Sequence, residues 1–303
     1  MARGDAEMDD QQSLSAWEQV DLLSLVGAPA QTKPEPADEP VSAIESVPEP
    51  AARSEQAPEP APEPVAAAGA PQRLLILDTE TTGLSPEQHQ CIEVGAVLFS
   101  VPDRSVLSQV SFLMPCQSNA AEAVNGIAPA LTQRTQPWQA GLACFEAMVE
   151  AADLLLAHNA AFDKQWFGLG SLPALNKPWL CSMEDIRWPQ DRQLRSTPSV
   201  RDLALAYGVP VWAAHRALTD CIYLAQVFER CADLEDLLVH AMEPRRLYRA
   251  RLSYEERHKA REAGFRWNQP VTGAWSRRLS EREVALLPFP VAPVDDPGER
   301  QSA

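Results

Sequence analysis

No two cysteines in this chain are spaced Cys-x-x-Cys, and Cys91, Cys116, Cys144, Cys181, Cys221 and Cys231 fall in no zinc-binding pattern. Neither a structural zinc site nor a dithiol redox centre is expected. No apolar run reaches the roughly 20 residues needed to span a membrane. The N-terminus opens with Arg3, Asp5, Glu7, Asp9 and Asp10, which is not a signal-peptide core. These absences give the expectation of a cytoplasmic protein with reduced, mostly buried thiols and no membrane partner. Positive charge is scarce as well. There are 26 Lys and Arg against 42 Asp and Glu, a net charge of -16, which taken as a whole argues against a polyanionic partner.

That charge is uneven. Residues 1–71 hold 3 Lys/Arg and 14 Asp/Glu, whereas residues 244–303 hold 12 and 8. Acidic and basic ends point to separate tasks. Residues 28–71 carry 11 of the 27 prolines in Pro-Glu-Pro and Ala-Pro-Glu-Pro repeats. Proline removes backbone donors and the glutamates repel one another, so an extended, disordered linker is expected there. Residues 1–27 form a tail with a short apolar motif. Within it, Gln19-Val20-Asp21-Leu22-Leu23 resembles the pentapeptide with which bacterial replication and repair proteins bind the sliding clamp, Gln19 anchoring one end and Leu22 and Leu23 filling a cleft. A transient helix fits the same residues.

From Gln72 onward the pattern is that of a folded α/β domain, expected to run to 235. Leu74–Asp78 reads as a buried strand, Cys91–Phe99 and Ser105–Met114 as two more, and Leu154–Ala157 as a fourth. Helical spacing covers 141–151, Ala160–Phe167, Ser199–Ala206 and Leu218–Cys231. Asp78 and Glu80, at i and i+2, leave the end of the first strand on one side. Hard oxygen ligands so placed suit Mg²⁺ or Mn²⁺, although for the three residues Asp-Thr-Glu alone a solvated acidic turn is the favoured reading. Asn159 and Asp163, at i and i+4, share a helical face, with Asn159 also able to cap. His215 and Asp220 cannot share one, so Asp220 belongs on the last helix and His215 on the loop before it. A near-neutral imidazole there can take a proton from water.

The three runs Leu-Asp-Thr-Glu-Thr-Thr-Gly-Leu (77–84), His-Asn-Ala-Ala-Phe-Asp (158–163) and His-Arg-Ala-Leu-Thr-Asp (215–220) together resemble the three motifs of the DEDDh 3′→5′ exonucleases, in the flavour of bacterial DNA polymerase III proofreading subunits. The resemblance implies an RNase H-like mixed sheet flanked by helices. It also implies two Mg²⁺ or Mn²⁺ ions held by Asp78, Glu80, Asp163 and Asp220, with His215 as general base and nucleoside 5′-monophosphates as product. Thr81, Leu84, Asn125, Asn159 and Phe162 would lie beside the terminal nucleotide. Many relatives carry His where this chain has Asn125, which leaves that sugar contact open.

Residues 244–290 read as a small basic α+β module, with 291–303 as a disordered tail. Eleven Lys/Arg face four Glu between 244 and 282. Tyr254–Gly264 reads as a helix stopped by glycine, and Phe265–Trp267 with Trp275–Arg278 as a hairpin. Arg266, Trp267, Trp275, Arg277 and Arg278 are the expected nucleic-acid contacts, although the aromatics also fit a miniature core. The expectation is a metal-dependent 3′→5′ exonuclease acting on single-stranded or frayed DNA 3′ ends in repair or proofreading beside a separate polymerase. The alternatives are an exoribonuclease, or an inactive adaptor between clamp and nucleic acid.

Overall fold

The computed structural model describes residues 69–212 and 215–295. The clamp-like motif with Gln19, Leu22 and Leu23, and nearly all of the linker, lie outside the described residues. Strand β1 (Arg73–Thr81) pairs antiparallel with β2 (Cys91–Ser100), which pairs antiparallel with β3 (Ser105–Leu113). On its other side β1 runs parallel to β4 (Leu154–Ala157), and β4 runs parallel to β5 (Trp179–Cys181). The order is β3-β2-β1-β4-β5, a mixed sheet as expected. Strand β5 was not read from the sequence; it has three residues, too few to show a period.

Strands β1, β2 and β4 are buried on both faces, which is why they read as unbroken apolar runs. Strand alternation sorts their side chains into two cores. Leu74, Ile76, Val97, Phe99, Leu154 and Leu156 face helices α5 (Val200–Ala206), α6 (Ala217–Glu229) and α7 (Leu234–Ala241). Leu75, Leu77, Val94, Ala96, Leu98 and Leu155 face α3 (Trp138–Ala151), which contributes Phe145, Met148 and Val149. Two short helices, α1 (Glu122–Asn125) and α2 (Pro129–Thr132), precede α3, and α4 (Ala160–Lys164) follows β4. The domain does not stop at residue 235: Leu237, Leu238 and Ala241 of α7 belong to the first core.

The C-terminal module is a second sheet of order β7-β8-β6-β9. Its strands are β6 (Arg246–Ala250), β7 (Arg266–Trp267), β8 (Trp275–Leu279) and β9 (Val291–Pro293), with helices α8 (Arg257–Glu262) and α9 (Glu281–Ala285). Ala260, Phe265, Leu279 and Phe289 form its core. Gly264, at φ +76, ends α8 in the left-handed conformation that glycine alone adopts freely. Strand β9 corrects the expected tail: Val291–Pro293 pairs with β6, and the Val294 N–H donates to Leu247 O at 2.9 Å. Ion pairs fasten the module to the first domain. Glu283 joins Arg187 and, at 3.3 Å, Arg245, whose guanidinium also meets Asp185 at 3.5 Å; Arg266 meets Glu184 at 2.6 Å. All six cysteines are free thiols, and no described helix is long and apolar enough to cross a membrane.

Candidate active site

The site forms where β1 leaves the sheet. Because Leu74 and Ile76 face α6, the alternation carries Asp78 and Glu80 to the same side. Asp220 sits in the first turn of α6. Carboxylate oxygens of Asp78, Glu80 and Asp220 all lie within 4.8 Å of one another, and among the described residues this is the one such group of three or more His, Cys, Asp or Glu side chains.

Close approach of α6 depends on a residue that the sequence reading passed over. Gly95 on β2 is the register partner of Asp78. A Cβ there would overlap the Leu218 amide nitrogen and the Ala217 carbonyl carbon. Glycine inside a strand marks such an approach and was the available signal. Glu93, opposite Glu80, is a second missed residue. It is buried and accepts from Arg216 Nε at 2.9 Å, from Ser111 Oγ at 3.0 Å and from the Ala217 N–H at 3.3 Å. A lone charge inside an apolar strand run was its signature. Together Glu93 and Arg216 pin the start of α6 to β2.

Asp163 was expected to face the acidic pair. It lies close enough for its charge to be the largest of those raising Asp78, and its Oδ1 also accepts from the Thr79 N–H at 3.0 Å and from Thr79 Oγ1 at 2.8 Å. Thr79 lies on the opposite side of β1 from Asp78, toward α4, so Asp163 grips the strand between the two acids and stays outside the three-carboxylate group. Asn159 departs from the expectation. It precedes α4 at φ 72, outside the helix, and its side chain makes no capping bond. The i, i+4 relation to Asp163 therefore does not place both on one helical face.

Asn125 is 4% exposed and internally committed. Its amide donates to Thr81 O at 3.1 Å, and its carbonyl accepts from Asn119 Nδ2 at 2.9 Å and from the Ile127 N–H at 3.1 Å. It braces the turn after β1. Thr81 is buried, with its hydroxyl donating to Gly83 O at 2.6 Å. Leu84 and Phe162 are half-buried, the Phe162 ring edge-on to Trp166 with centroids 5.8 Å apart. His158 is tied to Ser182 Oγ and to Pro198 O, both at 2.9 Å. Burial lowers its pKa to about 4 and leaves it neutral.

The acids repel one another in a poorly solvated place. Burial, then the charges of Asp163, Glu80 and Asp220, push Asp78 well above the carboxylate range. Burial followed by Asp220 and Glu93 raises Glu80 to about 8, against the lowering charge of Arg216. Burial raises Asp163 to about 7 despite the Thr79 hydrogen bonds, and Asp220 to about 6 despite a hydrogen bond from the His215 N–H. Arg216, the cation that acts on Glu80, spends its fork on Glu93. An all-oxygen donor set with this surplus of negative charge fits hard divalent cations. His215, at φ 59, stands on the loop before α6 as expected, and partial burial lowers its pKa.

The expected contacts of the C-terminal module sort differently. Arg277 is tucked inward: its guanidinium donates to Ala263 O, and burial lowers its pKa to about 10. Arg266 is engaged by Glu184, and Trp275 packs against the module core. Trp267, 55% exposed, belongs to no core, and Arg278 is exposed.

A family model described as "Exonuclease" matches residues 75–228, half of the chain, and a "Domain of unknown function (DUF8626)" matches 246–294. A DNA polymerase III PolC-type protein of Thermotoga petrophila is 27% identical over 164 residues, covering 53% of this chain but 12% of that protein. A DNA polymerase III subunit epsilon of Treponema pallidum is 26% identical over 167 residues, covering 50% of this chain and 72% of that one. The chain thus spans only a small part of the PolC-type relative. Among solved structures, Exonuclease X in complex with 5′ overhanging duplex DNA has a TM-score of 0.41 at 22% identity, covering 55% of this chain and 98% of that one. The nuclease domain of 3′hExo, a DEDDh family member, bound to rAMP, has a TM-score of 0.43 at 16% identity, covering 56% and 94%. The chain belongs to the exonuclease family.

Proposed function

We propose that the protein hydrolyses the terminal phosphodiester of a DNA 3′ end and releases nucleoside 5′-monophosphates one at a time. The observation that carries this reading is the meeting of Asp78, Glu80 and Asp220 within 4.8 Å at the open end of β1. Together with Asp163 they are the residues that would hold two Mg²⁺ or Mn²⁺ ions. Such ions, when bound, stabilise negative charge on the attacking and leaving oxygens. The chain's own groups do the rest. His215, neutral at pH 7, accepts a proton from the water that attacks phosphorus; the bond to the 3′-oxygen breaks and that oxygen takes up a proton. Asp163 fixes the backbone between Asp78 and Glu80 through Thr79, so the pair keeps its spacing as charge changes. Leu84 and Phe162 offer half-buried apolar surface for the terminal base. The polymerase III names of the two sequence relatives support a role beside a separate DNA polymerase.

The test is degradation of 5′-labelled single-stranded DNA and RNA of equal sequence, with Mg²⁺, Mn²⁺ or EDTA. A ladder shortening stepwise from the 3′ end in metal, abolished by EDTA and by Asp220→Asn, is the expected result. His215→Ala should lower kcat by about 10²–10⁴. Faster loss of RNA would replace DNA by RNA as substrate, and intact strands of both kinds in either metal would overturn the enzyme reading in favour of an adaptor.

A further inference from the structure

We propose that the C-terminal module carries a second nucleic-acid site, a groove that holds a single strand. The groove has a volume of about 750 Å³ and lies between the end of β6, the segment leading into α8 and the β7–β8 hairpin. Three arginines line it, Arg249, Arg251 and Arg257, and no Asp or Glu does. All three are exposed, and among the described residues none is paired with a carboxylate. In a chain of net charge -16, three unpaired cations in one concavity form a local exception. Arg249 and Arg251, at i and i+2 of extended chain, point to one side.

Aromatic rings interleave with these charges. Trp267 is 55% exposed and Tyr254 78%, and Trp275 lies 5.8 Å from Trp267 at a tilt of 53°. The Arg257 guanidinium stands 3.7 Å from the Tyr254 ring centroid, a preformed cation–π stack. Cations spaced along a groove neutralise phosphates, and open ring faces stack unpaired bases; a duplex hides those base faces. An acidic peptide would satisfy the arginines and leave the rings without a flat partner. The groove differs from the surface expected from sequence, since Arg266 and Arg277 are engaged elsewhere. The inference rests on the exonuclease reading only for its choice of occupant.

The experiment is fluorescence anisotropy of labelled oligothymidylate and oligouridylate, about 12 nucleotides long, with the full chain in EDTA so that no strand is cut. Trp267→Ala is expected to weaken binding about tenfold. Arg249→Gln with Arg251→Gln is expected to reduce the slope of log K against log salt by about 1.4. Tyr254→Ala with Arg257→Gln, at exposed positions, gives a second variant whose loss of affinity should match. Arg230→Gln, an exposed cation outside the groove and the hydrolytic site, should bind as the parent does, which assigns the loss to the groove. Unchanged affinity and slope in folded variants would overturn the proposal. Displacement of the strand by an equal concentration of polyglutamate would do the same and assign the groove to an acidic peptide.

Discussion

At the scale of single residues the site is an unstable assembly waiting for positive charge. Raised carboxyl pKa values mean that the metal-free folded chain keeps protons that the unfolded chain releases above about pH 4. Its stability is therefore lost as pH rises through about 6, 7 and 8, where Asp220, Asp163 and Glu80 ionise. In EDTA the Tm should fall between pH 5 and 8, and Mg²⁺ should restore it more at pH 8 than at pH 6. Asp220→Asn removes one of the mutually repelling charges and keeps an acceptor for the His215 N–H. It should stabilise the metal-free protein at pH 8 by up to about 3 kcal/mol and weaken the Mg²⁺ response. Scanning calorimetry at the two pH values reads both effects, and a lower metal-free Tm in the variant would contradict this account. Much of this was legible in the sequence. The i, i+2 spacing of Asp78 and Glu80 settles their shared side once β1 is a strand. The hold of Asp163 on Thr79 was not, because it depends on the side of β1 against which α4 packs, and no local spacing records that.

At the scale of elements, the decisive contact is α6 on β2. Gly95→Ala would force the start of α6 away from β2 and carry Asp220 with it. Overpacking of this kind costs about 1–3 kcal/mol when side chains can yield, and here the obstacle is backbone. We expect at least that loss in urea denaturation, and a loss of Mg²⁺ affinity in the fraction that remains folded. Calorimetric metal titration at low urea checks the second point; parental affinity would mean that α6 had not moved. Helices α5 and α6 were readable from their spacing. Helix α7 was left unassigned because its amphipathic stripe of Leu234, Leu237, Leu238 and Ala241 follows a break at Cys231–Asp233. Strand β9 was missed because a proline-rich stretch with few residues carries the signature of a tail.

At the scale of the whole molecule, the module is held to the exonuclease domain by charge. Glu283 is the hub, bonded to Arg187 and Arg245 and closing the capping box of α9. Glu283→Ala leaves two guanidinium groups without their shared anion, a loss of about 3–5 kcal/mol when such a pair is buried, less here because Arg187 is partly exposed. The expected outcome is a melting transition that broadens or splits, read by calorimetry, with nuclease rate on short strands preserved. A single unshifted transition would show that the apolar contacts alone hold the module. Sequence could not disclose this clasp: Arg266 looks like a surface cation until its partner, Glu184, is brought to it from the first domain.

The same topology bears on when the site comes into being. Parallel pairing of β1 with β4 and seating of α6 on β2 bring residues 78, 163 and 220 together across long stretches of chain. Such non-local closures come late and slowly in folding. A divalent ion that needs all of these ligands would act as a latch on the finished protein, slowing its opening without hastening its formation.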